Sequence, residues 1–132
     1  MAASIPDQFK DLLTKRAFAH LATLMPDGTP QVSPVWFDFD GSHFIVNSAR
    51  GRVKDKNMRR NKHVALSIVD PDNAYRHMDV QGAVVDITEQ GADAHIDKMA
   101  KKYLGKDKYP FAAPGEVRVT YKIQPNKLTT MG

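Results

Sequence analysis

The sequence predicts a mainly β fold, an antiparallel β-barrel of six strands with helices attached, and three observations predict it. Six apolar runs of strand length are divided by turn signals such as Pro26-Asp27-Gly28-Thr29, Asp40-Gly41 and Pro71-Asp72-Asn73, where proline fixes φ and glycine accepts positive φ. The run "GEVRVTYKIQP" alternates, with Val117, Val119, Tyr121 and Ile123 on one face and Arg118, Thr120 and Lys122 on the other. Only two or three segments carry a helical period, which suits a small barrel decorated by helices.

The first element, "IPDQFKDLLTKR", places Pro6 at a helix-starting position with Phe9, Leu12 and Leu13 at helical spacing, and predicts a short helix. "AFAHLATLM" is the first strand, "PQVSPVWFDF" the second and "HFIVNS" the third. Pro34 cannot donate to a ladder, so the second strand lies on an edge or carries a bulge. A basic helix follows over about 52–61, then the strand "HVALSIVD" and the long strand "AYRHMDVQGAVVDIT", in which Gly82 predicts a bulge or bend. Ala92, Ile96, Met99 and Tyr103 share a face of a last helix that stops at Gly105, and "NKLTTMG" extends the sixth strand.

At 132 residues the chain buries a core as one domain, residues 1–132, with no internal repeat, linker or low-complexity segment. Cysteine is absent, which removes disulfides, thiolate chemistry and cysteine-ligated zinc together. "MAASIPDQFKDLL" lacks the regions of a signal peptide and no apolar run approaches membrane-spanning length, so the expectation is a cytoplasmic protein with no membrane partner. His20, His43, His63, His77 and His95 are scattered without a ligand pattern, so no metal is expected. There is no nucleophile elbow, Walker A loop or GxGxxG.

The net charge is +4, and its excess is local. "NSARGRVKDKNMRR", residues 47–60, holds six cations and one carboxylate at the passage from a strand to a helix start. Unpaired N–H groups and the helix dipole favour an anion there, and Ser48, Arg52 and Lys54 would add charge-assisted bonds, with Arg50 close in sequence. Arg52, Lys56 and Arg59 share a helical face, whereas Lys54 points towards Asn57 and Met58. Cations at a helix start oppose the dipole, and a bound phosphate would compensate; a solvated basic helix is the other reading of the same residues. Upstream, Gln31, Ser33 and Pro34 interrupt an apolar strand just before Trp36. Backbone groups freed there can meet a flat heteroaromatic ring, or Trp36 is simply a core residue on an edge strand.

"AHLATLMPDGTPQVSPVWFDFDG", then "FIVNSARGRVKDKNMRRNKHVALSIVD", then "VQGAVVDI" resemble the split β-barrel flavoproteins of the pyridoxamine-phosphate-oxidase-like superfamily, over about residues 6–128. Within it the chain is most similar to the B group of flavin/deazaflavin oxidoreductases, many of which use coenzyme F420. The resemblance implies an FMN-binding type of six-stranded split barrel and a homodimer with the cofactor at the subunit interface. It implies that Ser48, Arg52 and Lys54 hold the cofactor phosphate with Asn57 close by, and that Asn47 and Ala49 flank it. It further implies that Gln31, Ser33, Pro34 and Val35 line the flat ring, with Trp36 beside it.

Arg50, Lys56, Arg59 and Arg60 are then left over, and the acidic tail of coenzyme F420 would use them; this favours the deazaflavin over FMN, the alternative cofactor. Only Lys122 and Lys127 lie near the C-terminal end, which speaks against oxidation of pyridoxamine phosphate itself. The expected activity is hydride transfer from reduced coenzyme F420 to a small-molecule electron acceptor such as a quinone, enone or tetrapyrrole, with the cofactor performing the hard chemistry. No catalytic residue is assigned; Tyr75 and His77 are the side chains weighed as proton donors. An FMN-dependent oxidoreductase, a non-catalytic carrier of the cofactor and a nucleic-acid-binding barrel are the alternatives, the last opposed by the lack of interleaved aromatic residues.

Overall fold

The computed structural model describes residues 2–132. Seven antiparallel strands form one sheet: β1 (Ala19–Leu24), β2 (Pro30–Val35), β3 (Phe37–Phe39), β4 (Phe44–Ala49), β5 (His63–Asp70), β6 (Asn73–Thr88) and β7 (Arg118–Met131). Their spatial order is β2-β1-β5-β6-β7-β4-β3. Helix α1 (Val53–Arg60) follows β4, and α2 (Ala92–Leu104) joins β6 to β7. The N-terminal helix is a 3-10 helix, Asp7–Leu13, that buries Phe9 and Leu12.

Seven strands replace the expected six because "PQVSPVWFDF" divides at Trp36. Its first half pairs with β1 and its second half with β4, at opposite ends of the sheet. The sheet curls until its two edges meet at one stretch of chain, Val35-Trp36-Phe37, and that makes the barrel split rather than closed. Pro34 accordingly lies on an edge strand, where its missing donor costs no ladder bond.

The alternating strands turn Leu21, Phe37, Phe44, Val46, Leu66, Ile68, Met78, Tyr121 and Ile123 inward to form the core. The register of β6 on β7 shifts at Gln81/Gly82, and a Cβ at Gly82 would stand 2.5 Å from the Gln124 carbonyl oxygen. That close approach explains the glycine better than turn chemistry does. Ile96, Met99 and Tyr103 of α2 form a second apolar cluster with Trp36 and Tyr109.

One expected alternation breaks down at the start of β7. Val117 precedes the strand and is 41% exposed, whereas Arg118 is 6% exposed. Glu116 and Tyr109 cover that side, with the guanidinium 5.0 Å from the Tyr109 ring centroid. Among the described residues, no helix is long and apolar enough to cross a membrane.

Candidate functional site

β4 runs out of the barrel at Asn47-Ser48-Ala49, and Gly51, at φ +90°, turns the chain so that Arg52 caps α1 with extended backbone. The N–H groups of Val53 and Lys54 have no acceptor among the described residues. Beside them opens a cavity of about 350 Å³, within the size range of small-molecule sites. Its apolar wall is Phe18, Pro34, Val35, Trp36, Ile96, Tyr109 and Phe111, and its polar wall is Asn47, Ser48, Arg52, Lys54 and Arg118. Trp36 stacks on Tyr103 at 5.2 Å with an interplanar angle of 4° and meets Tyr109 edge-on. The indole is therefore held flat at the cavity wall rather than lost in the core.

The polar wall is not self-sufficient. Ser48 Oγ is buried without a hydrogen-bond partner, as is Ser33 Oγ on β2. Lys54 is half-buried and forms no ion pair with any carboxylate of the described residues. Burial, then repulsion from Arg52 and Arg118, lowers its pKa from the ordinary lysine value. Arg52 has only a distant partner, Glu116 at 3.7 Å. Glu116 pairs with Arg118, whose Nε donates to Asn47 Oδ1 at 2.9 Å. A buried hydroxyl and a half-buried ammonium, both unmatched, fit an anion supplied from outside.

The structure brings Pro34, Val35, Trp36, Asn47, Ser48, Arg52 and Lys54 to this cavity and does not bring the other candidates to it. Gln31 accepts a hydrogen bond from Thr23 at 3.2 Å. Ala49 is buried at the strand end opposite Arg118. Asn57 is fully committed elsewhere: its Nδ2 donates to Thr23 Oγ1 at 3.0 Å and its Oδ1 accepts from Arg60 at 3.2 Å, pinning α1 to β1.

The supposedly spare cations are largely engaged. Arg50 pairs with Glu89, Arg59 with Asp55 at 2.9 Å, and Arg60 reaches the Leu24 carbonyl at 3.2 Å. Neither Tyr75, 80% exposed, nor His77, paired with Asp79, lines the cavity.

Two residues went unnoticed in the sequence. Arg118 reads as an outward strand cation, and only the loop over it reveals its place. Asp55 is buried, accepting from Gly51 N at 2.9 Å, from Arg59 and from the Tyr121 hydroxyl. It sits in the first turn of α1 and opposes the clash between dipole and cations, a task the sequence reading gave to a ligand alone. Burial followed by the Asp55 carboxylate pushes the Tyr121 hydroxyl well above the usual phenol range. No group of three or more His, Asp or Glu able to hold a metal occurs among the described residues.

Comparison with known proteins places this architecture. The family model described as pyridoxamine 5'-phosphate oxidase matches residues 5–132. A solved F420 reductase is 35% identical, with a TM-score of 0.83, covering 95% of this chain and 98% of its own. A conserved hypothetical protein from Mycobacterium tuberculosis is 19% identical with a TM-score of 0.73, covering 98% of this chain and 86% of its own. The heme storage protein HutZ from Vibrio cholerae is 16% identical with a TM-score of 0.70, covering 98% of this chain and 96% of its own; these last two share the fold alone. The match over nearly the whole chain, on a split barrel with a cavity at the β4–α1 junction, establishes that this chain belongs to the pyridoxamine 5'-phosphate oxidase family.

Proposed function

We propose that this chain is an oxidoreductase that binds coenzyme F420 in the cavity at the β4–α1 junction and reduces an electron-poor organic acceptor. The observation that carries the reading is Lys54, a half-buried ammonium without a carboxylate partner beside the orphaned Ser48 hydroxyl. Ser48, Arg52 and Lys54, with the free N–H groups of α1, would hold the cofactor phosphate, flanked by Asn47, Ala49 and Arg118. The edge formed by Ser33, Pro34, Val35 and Trp36 would hold the ring, with Gln31 further along the same strand. When bound, the cofactor supplies two-electron hydride chemistry, and the acceptor is a quinone, enone or tetrapyrrole. The chain's own part is to orient, to exclude water with its aromatic wall and to neutralise charge; the accompanying proton comes from solvent.

The 35% identity to an F420 reductase supports the deazaflavin. The family supports FMN as the second reading, since the same cavity suits any flat ring ending in a phosphate. With Arg50, Arg59 and Arg60 already partnered, Lys56 is the cation of that group left to meet an acidic tail. A homodimer belongs to the proposal too, supported by Phe18, 49% exposed at the cavity mouth, and Val32, 62% exposed on edge strand β2.

Quenching of the single tryptophan, Trp36, tests the reading when cofactor-stripped protein is titrated with coenzyme F420 and with FMN side by side. Tight quenching by coenzyme F420, weakened in Lys54→Ala, is expected. Preference for FMN moves the chain to the second reading, and unchanged affinity in Lys54→Ala removes the phosphate assignment.

A further inference from the structure

From the polar wall a line of side chains runs back into the protein. Arg118 Nε donates to Asn47 Oδ1 at 2.9 Å, Asn47 Nδ2 donates to the Ala92 carbonyl at 2.9 Å, and the same Nδ2 stands 3.2 Å from His95 Nδ1. His95 Nε2 lies 3.3 Å from Asp38 Oδ2, not aligned as a full hydrogen bond, and Lys98 Nζ reaches that oxygen at 3.0 Å. The line passes from β7 through β4 and α2 to β3. Asn47 and Arg118 face the cavity, while His95 and Asp38, with side chains 13% and 18% exposed, stand behind them.

Hydrogen-bond roles fix the tautomer of His95. A guanidinium only donates, so Asn47 must present Oδ1 to Arg118; a carbonyl only accepts, so Nδ2 must face Ala92. With the amide set from both ends, His95 Nδ1 is left as an acceptor, and the ring proton of the neutral form sits on Nε2, towards Asp38. We propose that neutral His95, in this tautomer, is a positioning residue that holds Asn47 and through it Arg118 in the cavity wall, and that a second proton on the ring releases both.

The added proton would sit on Nδ1 and confront the Asn47 Nδ2 donors. Asn47 can accept it only by turning over, which sets Nδ2 against Arg118 Nε–H and abandons the Ala92 carbonyl. The surrounding charges pull in both directions. Asp38 on β3 favours the imidazolium; Lys98 and Lys102 on α2, both close to Asp38, and Arg118 on β7 oppose it, with Glu116 partly offsetting Arg118. The consequence for ligand binding rests on the proposed function: an anionic cofactor would bind less tightly once Arg118 is released.

Two readouts on the full chain test this. Long-range 1H–15N spectra of the protein without added cofactor should show His95 as the neutral Nε2–H form. The Arg118 Nε–H should exchange with solvent more slowly than a free guanidinium near neutral pH, and that protection, taken against the intrinsic rate at each pH, should disappear on acidification. His95→Asn, whose Oδ1 replaces Nδ1 as acceptor, should keep the protection on acidification, and His95→Phe should lack it throughout. An Nδ1–H tautomer, or an Arg118 protection indifferent to acid, overturns the proposal. The wild-type response and its absence in His95→Asn decide the matter even where His95→Phe does not fold.

Titration with coenzyme F420 and FMN then gives the functional arm. His95→Phe should weaken whichever cofactor the wild type binds by about tenfold, and unchanged affinity overturns the link to binding. A wild type that binds neither cofactor overturns the functional reading instead, and the tautomer spectrum alone then decides the positioning role.

Discussion

At the turn between β5 and β6 the cations are saturated with carboxylates. Lys15 meets Asp70 and Asp72, both at 3.0 Å, while Arg76 meets Asp11 at 2.6 Å and Asp70 at 2.8 Å and lies over the Phe9 ring. At the junction of β4 and α1 the charges are left unbalanced, with Lys54 unpaired and Arg52 loosely held. Both regions gather cations: the turn sets Lys15 and Arg76 against Asp11, Asp70 and Asp72, whereas the stretch 47–60 holds six cations and one carboxylate. The first ties the N-terminal helix to the sheet, and its ion pairs shield one another from water at the surface rather than by depth. The second keeps positive charge partly desolvated without a partner, which costs stability and suits an anion supplied from outside. A cation by itself therefore says little; the presence or absence of its partner carboxylate separates the two regions.

Adjacent residues of the second region offer the largest effects. Asp55→Ala strands Gly51 N–H, the Tyr121 hydroxyl and Arg59 at once, and should cost about 2–4 kcal/mol of folding stability, read by denaturant unfolding. A loss below that range would blur the division between scaffold and site. Lys54→Met should act in the opposite sense. The protein without cofactor should melt at higher temperature, while affinity for the cofactor falls about ten- to hundredfold in titration. The sign follows from the lowered pKa of Lys54: its charged form is disfavoured by folding, so the wild type gains stability as pH rises through that pKa, a gain absent in Lys54→Met.

Arg76→Ala should lower Tm and leave cofactor affinity untouched, the mirror image of the Lys54 variant. The smallest effect is in acid. Backbone N–H donation from Asp72, then Arg76 and Lys15, holds the Asp70 pKa at about 2, below the ordinary aspartate value of 3.8. Its contribution is complete above about 3.8 and is lost as pH falls towards about 2, so Asp70→Asn should flatten acid unfolding in that window.

Local chemistry was legible in the sequence where it acts over a few residues. The hairpin turns, the inward face of α2, the bulge at Gly82 and the strand-to-helix passage at Ser48–Lys54 each follow from neighbouring side chains. What escaped depends on distant chain. Trp36 looks like the middle of one strand, because only the curl of the whole sheet sends its two halves to opposite edges. Arg118 looks solvated until Tyr109 and Glu116 cover it. Asn57 shares a motif with Arg52 and Lys54, yet helical geometry turns it to Thr23 on β1, away from the cavity. Arg50, Arg59 and Arg60 look spare because their acceptors, Glu89, Asp55 and the Leu24 carbonyl, are not identifiable as partners by spacing alone.

The meeting of the sheet edges at Trp36 gives the barrel a clasp rather than a weld. No ladder joins β2 to β3; α2 spans the gap with the Tyr103 hydroxyl, donating to the Ala17 carbonyl at 2.6 Å and accepting from Phe37 N–H at 3.3 Å, and with Lys102 Nζ, donating to the Leu13 carbonyl at 3.1 Å and the Phe37 carbonyl at 3.4 Å. Burial pushes that phenol up to about 12, so it stays protonated and able to fasten both sides across the neutral range. The two edges are therefore joined by a few side-chain bonds from α2 rather than by a strand ladder. The indole stacked on Tyr103 rides on that clasp, so the cavity wall and the fastening of the barrel share one aromatic pair.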